Sequence, residues 1–302
     1  MVTFLVILLA CLPVSQLIAR WKNSRETRKV EGAIKRLAGR CSFPILMPVY
    51  SRPHYLKRVL DGLAEVDGIS ETLLIISQDG NNREVSDLIS RIDFTDKIIL
   101  RHSRPFFGAL SFFWDSLHAV STNIHWMLDF TFERTGAKAA IVLEDDIVPS
   151  VDFLNYFNWV RTHVLDRDEV MTVTAFNLNS RISVERGFDP RNHPCDLVRN
   201  MEDGNEKFTG WSWAISRSKW PLIKKQWSFL SWDIGLNRIQ LGLGLVSYKP
   251  VLARAKNIGM QGGINFTELE DNPKWDGVHI AQDPIAYSRA PRLLGEEPVV
   301  FS

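Results

Sequence analysis

Blocks of apolar and polar positions along this chain predict strands alternating with helices. Phe43–Val49 is a nearly continuous apolar run and reads as a first strand buried on both faces. Leu56, Val59, Leu60 and Leu63 then recur at helical spacing. Thr72–Ser77 predicts a second strand, Val85, Leu88, Ile89 and Ile92 a second helix, and Lys97–Leu100 a third strand. A long helix is expected from about Leu110 to Glu133, with a break near Ser121. Ala139–Leu143 is apolar throughout and ends in Glu144-Asp145-Asp146. Phe153, Leu154, Phe157 and Val160 mark the next helix, and Val170–Phe176 another strand. Residues 177–210 are polar and carry Gly, Pro and Asn, the pattern of a long functional loop region. In Gly210–Ala214 the alternation predicts a strand with Trp211 and Trp213 on one face. The whole reads as α/β, a doubly wound, Rossmann-like sheet.

Residues 2–19 carry no charge, and this segment is expected to be a signal anchor or a cleaved signal peptide. Residues 20–40 hold Arg20, Lys22, Arg25, Arg28, Lys29, Lys35, Arg36 and Arg40 and read as a basic stem, with folded structure beginning near Cys41. Basic residues after the apolar segment would, on the positive-inside rule alone, hold the rest of the chain in the cytoplasm. The remainder divides into 41–176 and 177–302.

Composition narrows the function classes. With 36 basic and 35 acidic residues the formal net charge is +1, so no electrostatic case for nucleic acid arises. Of the three cysteines, Cys41 and Cys195 could pair in an oxidising compartment, and no Cys/His spacing suggests zinc. Asn265-Phe266-Thr267 is a glycan acceptor sequon.

The acid-tipped strand carries the strongest chemical signal. Ligand sites in open α/β sheets lie at the carboxyl ends of strands. Three adjacent carboxylates there repel one another unless a cation offsets them. Ser150 and Asp152 are placed to cap the helix that begins at Phe153, which leaves Glu144, Asp145 and Asp146 for a divalent metal holding a phosphorylated substrate. Arg52, after the first strand, is either a diphosphate clamp or a surface residue opening a helix at Pro53. Asp79 is either an acceptor for the N–H of a uracil ring or a turn residue before Gly80. Asp233, beside Trp232, is either a general base for a sugar hydroxyl or an N-cap. Gly259–Gly263 is either a lid over a donor or an ordinary turn.

The order of these motifs resembles glycosyltransferase family 13, the N-acetylglucosaminyltransferase I type. The resemblance rests on Pro48–Arg52, Ile76–Asp79, His125–Leu128 with Thr131-Phe132, Ala140–Ile147, Asp152-Phe153 with Tyr156-Phe157, Phe208–Trp213 and Trp232-Asp233. It implies a GT-A fold and metal-dependent inverting transfer of N-acetylglucosamine from UDP-GlcNAc to a mannose-containing glycan, in β-1,2 linkage. It also implies Mn2+ as cofactor and a single-pass type II Golgi membrane protein with a lumenal catalytic domain. By the same resemblance Asp146 is the metal ligand and Asp233 the catalytic base. Arg52, Asp79, Asn123, Glu144, Asp145 and Gln261 face the donor, and Trp211 and Trp213 are candidates for the acceptor side. The chain departs from the family at Asn123, where a uracil-contacting His is expected, and at Gly80, where animal members carry a Cys. It departs again at Gln261, which stands for a phosphate-contacting Ser. The alternatives are a GT-A enzyme using another UDP-sugar or acceptor, and a non-catalytic glycan-binding relative.

Overall fold

The computed structural model describes residues 2–104, 114–202, 204–259 and 277–295, with side chains from residue 14 onward and, in the helix starting at Trp114, from residue 117. Gln261, the Asn265 sequon and the rest of the Gly-rich loop after Gly259 lie outside the described residues. The chain runs α1 (Val2–Lys29), α2 (Glu31–Arg36), β1 (Ile45–Val49), α3 (Pro53–Ala64), β2 (Leu73–Asp79), α4 (Arg83–Ser90), β3 (Asp96–His102), α5 (Trp114–Phe130) and β4 (Ala139–Val142). It continues through β5 (Ile147–Pro149), α6 (Phe153–Val160), β6 (Val170–Thr174), β7 (Asp196–Arg199), β8 (Met201–Glu202) and β9 (Asn205–Glu206). The last elements are β10 (Trp213–Ser216), α7 (Trp220–Lys224), α8 (Trp232–Leu243), β11 (Val246–Pro250), β12 (Ala255–Asn257) and β13 (Arg292–Leu294).

Nine of these strands form one sheet in the order β13-β7-β11-β6-β10-β4-β1-β2-β3. The half from β4 to β3 is parallel. There the doubly wound expectation holds, because β1, β2 and β3 are each followed by a helix and these helices pack on both faces of the sheet. The other half is mixed. β10 inserts antiparallel between β4 and β6, pairing Trp213 with Val142 and Ser216 with Ala139. β7 is antiparallel to β11. Strands from both sides of residue 176 therefore interleave in a single sheet. β5 and β12 pair in a small separate ribbon at the carboxyl edge of β4.

Strand periodicity splits the core into two layers. Ile45, Met47, Leu74, Ile76 and Ile141 face one side, against Leu56, Val59 and Leu63 of α3, Val85 and Ile89 of α4 and Phe153 and Phe157 of α6. Leu46, Leu73, Ile75, Ala140 and Val142 face the other, against Ile124, Met127 and Leu128 of α5 and Leu236 and Ile239 of α8. Most of these are fully buried, each worth roughly 1.5–3 kcal/mol for the larger side chains. α5 runs through Ser121 without a break, since the Ser121 hydroxyl donates to the Ser228 carbonyl at 2.6 Å.

Residues 20–40 are helical and belong to the folded body rather than to a free stem. Asn23 exchanges two hydrogen bonds with the Ser103 backbone, at 3.1 and 2.7 Å, and Ile34 and Leu37 pack into the second layer. Among the described residues no helix is long and apolar enough to cross a membrane. Cys41 and Cys195 are both free thiols, buried in opposite layers of the core, and do not pair.

His125 of α5 illustrates how tightly the second layer closes. Its ring lies 5.2 Å from that of Trp220, 5.5 Å from Trp227 and 5.1 Å from Phe229. Burial, helped by Lys224 and Arg20 and opposed by Asp129, lowers its pKa to about 4. The unfolded chain then binds this proton more readily than the native one. Stability is present above the unfolded value near ~6.5 and is lost as pH falls toward 4, at roughly 1.4 kcal/mol per unit. His125→Phe should lose less stability than the native sequence between pH 7 and 4.5 in urea titrations. Equal losses would assign the acid sensitivity elsewhere.

Candidate active site

β4 ends at Val142, and the chain turns through Leu143 to bring the three acids to the edge of the sheet. Arg52 occupies the N-cap position of α3, ahead of Pro53 at the first helical position, at the carboxyl end of the neighbouring β1. Its Nη2 lies 2.5 Å from Asp145 Oδ1 and 2.8 Å from Asp146 Oδ2. The Tyr50 backbone N–H also donates to Asp145. The chain therefore supplies part of the positive charge that the acid run demands, from a residue expected either to clamp a diphosphate or to open a helix at the surface.

One guanidinium does not balance three acids. Burial, reinforced by Asp146 and opposed by Arg52, pushes Asp145 up to about 6. Burial first, then Asp146 and Asp145, drive Glu144 well above the usual carboxylate range. Asp233 acts on Glu144 in the same direction, which places it in electrostatic reach of the cluster. Burial disfavours the Arg52 cation, yet the two carboxylates hold its pKa above the ordinary value. Among the described residues the cluster is short of positive charge.

Asp146 shows where a cation would be received. Its Oδ2 is taken by Arg52, while its buried Oδ1 has no hydrogen-bond partner among the described residues. Its backbone carbonyl accepts from Ile258 at 2.9 Å, so the segment after β12 lies directly against it. A Cβ on Gly259 would sit 2.2 Å from Asp146 Oδ2, so only glycine fits there without displacing the carboxylate.

Asp233 lies in the first turn of α8 and is exposed. The cap position belongs to Ser231, whose hydroxyl donates to Asp233 Oδ1 at 2.8 Å. Trp232 anchors that turn. It stacks on Trp213 at 5.9 Å and fills the space beside Gly210, so the neighbouring Asp233 points outward.

The remaining sequence candidates divide. Asp79 is buried at the end of β2, with its Oδ1 3.1 Å from His102 Nδ1. Asn123 is buried on α5 and its amide is committed to β2. Its Oδ1 accepts from Ser77 Oγ at 2.5 Å and its Nδ2 donates to the Ser77 carbonyl at 3.3 Å. Asn123 braces the strand that carries Asp79 and is 2% exposed. Trp211 and Trp213 do not share a face. Ser212 adopts φ +54°, the one non-glycine residue with positive φ among those described, and this breaks the alternation. Trp213 is fully buried in the second layer and offers no surface to an acceptor, whereas Trp211 is half-buried against the first layer, edge-on to Phe176 at 4.8 Å.

Asp152 makes no capping hydrogen bond. Its carboxylate is the counter-ion of the fully buried Arg254, at 2.9 Å from Nε. Sequence reasoning missed Arg254, and it missed His102 beyond the predicted end of the third strand. The carboxyl-end position of His102 on a strand of the parallel half was the available signal.

A sheet parallel in one half, with a charged cluster at the carboxyl ends of adjacent strands, is an α/β architecture whose ligand sites lie at that edge. The chain belongs to the GNT-I family, whose sequence model matches residues 14–268. An alpha-1,3-mannosyl-glycoprotein 2-beta-N-acetylglucosaminyltransferase of Arabidopsis thaliana is 24% identical over 229 residues, covering 72% of this chain and 47% of the relative. The chain thus spans about half the length of that protein. An alpha-1,6-mannosyl-glycoprotein 2-beta-N-acetylglucosaminyltransferase of Mus musculus is 42% identical over 50 residues, 17% of this chain and 11% of the relative. Among solved structures, S. aureus TarS 1-349 is similar with a TM-score of 0.45 at 9% identity, over 69% of this chain and 60% of that one. The mannosyltransferase PcManGT from Pyrobaculum calidifontis, in complex with GDP-Man and Mn2+, gives a TM-score of 0.40 at 12% identity, over 80% and 69%.

Proposed function

We propose that this chain is a metal-dependent inverting glycosyltransferase with a GT-A nucleotide-sugar fold. It moves N-acetylglucosamine from UDP-GlcNAc to a mannose-containing glycan in β-1,2 linkage. The observation that carries this reading is the acid cluster itself. Glu144, Asp145 and Asp146 crown β4 with, among the described residues, one arginine against them and a buried Asp146 oxygen without a hydrogen-bond partner, and Asp233 lies within electrostatic reach. Family membership and the names of the Arabidopsis and mouse relatives support the sugar and the acceptor class.

Among the described residues no group of three or more His, Cys, Asp or Glu side chains is arranged to hold a metal. A single carboxylate suits a divalent ion completed by the donor's phosphates and water. Asp146 would hold it through Oδ1. Its hard oxygen fits Mg2+ or Mn2+, and the family resemblance selects Mn2+. When bound, such an ion neutralises charge on the departing diphosphate. Arg52, poised between Asp145 and Asp146, binds the same diphosphate with charge-assisted hydrogen bonds. Glu144 and Asp145 contact the donor sugar and ribose, and Asp79 accepts from the uracil ring. Asp233 takes the proton of the acceptor hydroxyl as that oxygen attacks the anomeric carbon from the face opposite UDP. Trp211 stands on the acceptor side. A Golgi lumenal location for the catalytic body is taken from the family resemblance, against the topology that the basic residues 20–40 favour on the positive-inside rule.

Incubating the chain with UDP-GlcNAc and a mannose-terminated glycan, with Mn2+ or with EDTA, tests the reading by mass spectrometry of the product. Transfer that requires the metal is expected. Asp233→Asn should slow it by about 10²–10⁴-fold while UDP still binds. Glycan binding without transfer under any condition would favour a non-catalytic relative, and preference for UDP-galactose would overturn the donor sugar.

A further inference from the structure

We propose that His102 is a positioning residue for nucleobase recognition: it fixes the Asp79 carboxylate as a hydrogen-bond acceptor and so sets the preference for a uracil-type base. The inference rests on the donor reading above. It adds a residue from β3, a strand that carries none of the site residues assigned so far.

Asp79 and His102 are register partners at the carboxyl ends of β2 and β3. Both are buried, at 5% and 7% exposure. His102 Nδ1 lies 3.1 Å from Asp79 Oδ1. An ionised carboxylate only accepts hydrogen bonds, so the proton of this pair is assigned to Nδ1. Trp126 of α5 packs on the imidazole with ring centroids 5.7 Å apart, which fixes its plane. Arg104 Nη1 lies 3.8 Å from Asp79 Oδ2, an ion-pair separation too long for a hydrogen bond. Oδ1 is thereby committed to the imidazole, and Oδ2 is the oxygen that meets a ligand. Tyr50 closes the other side. Gly80 has φ +73°, and a Cβ there would lie 3.0 Å from the Tyr50 ring, so the half-exposed aromatic rests directly on the backbone next to Asp79.

The chemistry of the bases gives this arrangement a consequence. Uracil presents a ring N–H between two carbonyls, whereas cytosine presents a bare nitrogen at the same place. An acceptor held in one orientation meets the first with a hydrogen bond and the second with lone-pair repulsion. A site built around a hydrogen bond rejects the analogue that lacks it, because its polar group is left unpaired. A carboxylate free to turn discriminates less. His102 therefore acts through Asp79, without touching the reacting atoms.

The test compares His102→Phe, which keeps an aromatic ring on Trp126 but has no N–H, with His102→Asn, whose Nδ2 can replace the donor. Calorimetry with UDP and CDP, both with Mn2+, is run on the whole chain alongside KM and kcat for UDP-GlcNAc. In His102→Phe, UDP affinity should fall by about tenfold or more while CDP affinity changes by less than about threefold. The donor KM should rise more than kcat falls. His102→Asn should restore most of the UDP preference. A residue needed only for folding would weaken both nucleotides together. Should His102→Phe fail to fold, His102→Leu against His102→Asn makes the same comparison. A native UDP preference retained in the apolar variant overturns the role of His102 alone. A native chain that binds UDP no better than CDP overturns the donor reading, and this inference falls with it.

Discussion

Asp146→Ala is expected to remove metal-dependent turnover almost completely, by about three orders of magnitude or more, which corresponds to several kcal/mol of charge stabilisation at the diphosphate. The size follows from the division of labour within one carboxylate. Oδ2 is held by Arg52 at 2.8 Å, and Oδ1 is buried with no partner among the described residues. No other described side chains gather into a group that could replace it. Thermal stability should change little or rise, because the substitution removes one of three crowded acids. Gly259→Ala is the informative companion. It leaves every acid in place but puts a methyl group 2.2 Å from Asp146 Oδ2, so the carboxylate must move. Turnover should fall in this variant as well, with Mn2+ affinity weakened in the same titration. Full activity in Asp146→Ala would remove the metal from Asp146.

The parts of this arrangement that sequence reveals are those set by local rules. An apolar run ending in three acids specifies a buried strand with charge at its edge, and β4 has that form, with all four residues buried. The helical spacing of Leu56, Val59, Leu60 and Leu63 places all four in the core under α3. What sequence hid depends on contacts between distant segments. Trp211 and Trp213 look like one face of a strand because alternation is the only local information. The left-handed turn at Ser212 is imposed by pairing, with Ala175 N and Thr174 Oγ1 both donating to the Ser212 carbonyl, at 2.8 and 2.9 Å. The antiparallel entry of β10 between β4 and β6 is likewise a matter of which partner is free. Residues 20–40 read as a stem because eight basic side chains outweigh the Ile34 and Leu37 positions. Yet those two carry the packing while the charges point to water. Arg254 escaped because a lone arginine has no signature until its carboxylate is found across the fold, and His102 because its strand-end position gains meaning only once Asp79 is paired beside it.

Asp152 makes that last point thermodynamic, and its replacement by alanine carries the largest expected effect on stability, about 3–5 kcal/mol. The carboxylate is fully buried and serves three groups. It pairs with Arg254 Nε at 2.9 Å, accepts from Ile285 N at 2.7 Å through Oδ1, and accepts from the Tyr287 hydroxyl through Oδ2, while the Arg254 guanidinium stands over the Tyr156 ring. Arg254 in turn donates to the carbonyls of Leu252 and Pro194, the latter at 2.6 Å. Removing the acid leaves a cation with no counter-charge in the interior, and the penalty is a large share of the ~5–15 kcal/mol that holds an ordinary domain together. Urea denaturation should show a lower midpoint with an unchanged slope. Replacing both partners, as Asp152→Leu with Arg254→Met, should recover much of the loss, because an apolar pair leaves no charge stranded. A loss below about 1 kcal/mol in Asp152→Ala would mean that water or another acid reaches Arg254. The effect should extend to the active site. The Arg254 backbone bridges Ala175 and Ser150, at 2.7 and 2.9 Å, immediately before β12. β12 leads in two residues to Gly259, the backbone that confines Asp146. Metal affinity should therefore weaken in Asp152→Ala even under conditions where the chain remains folded, and the double apolar variant should restore both properties together.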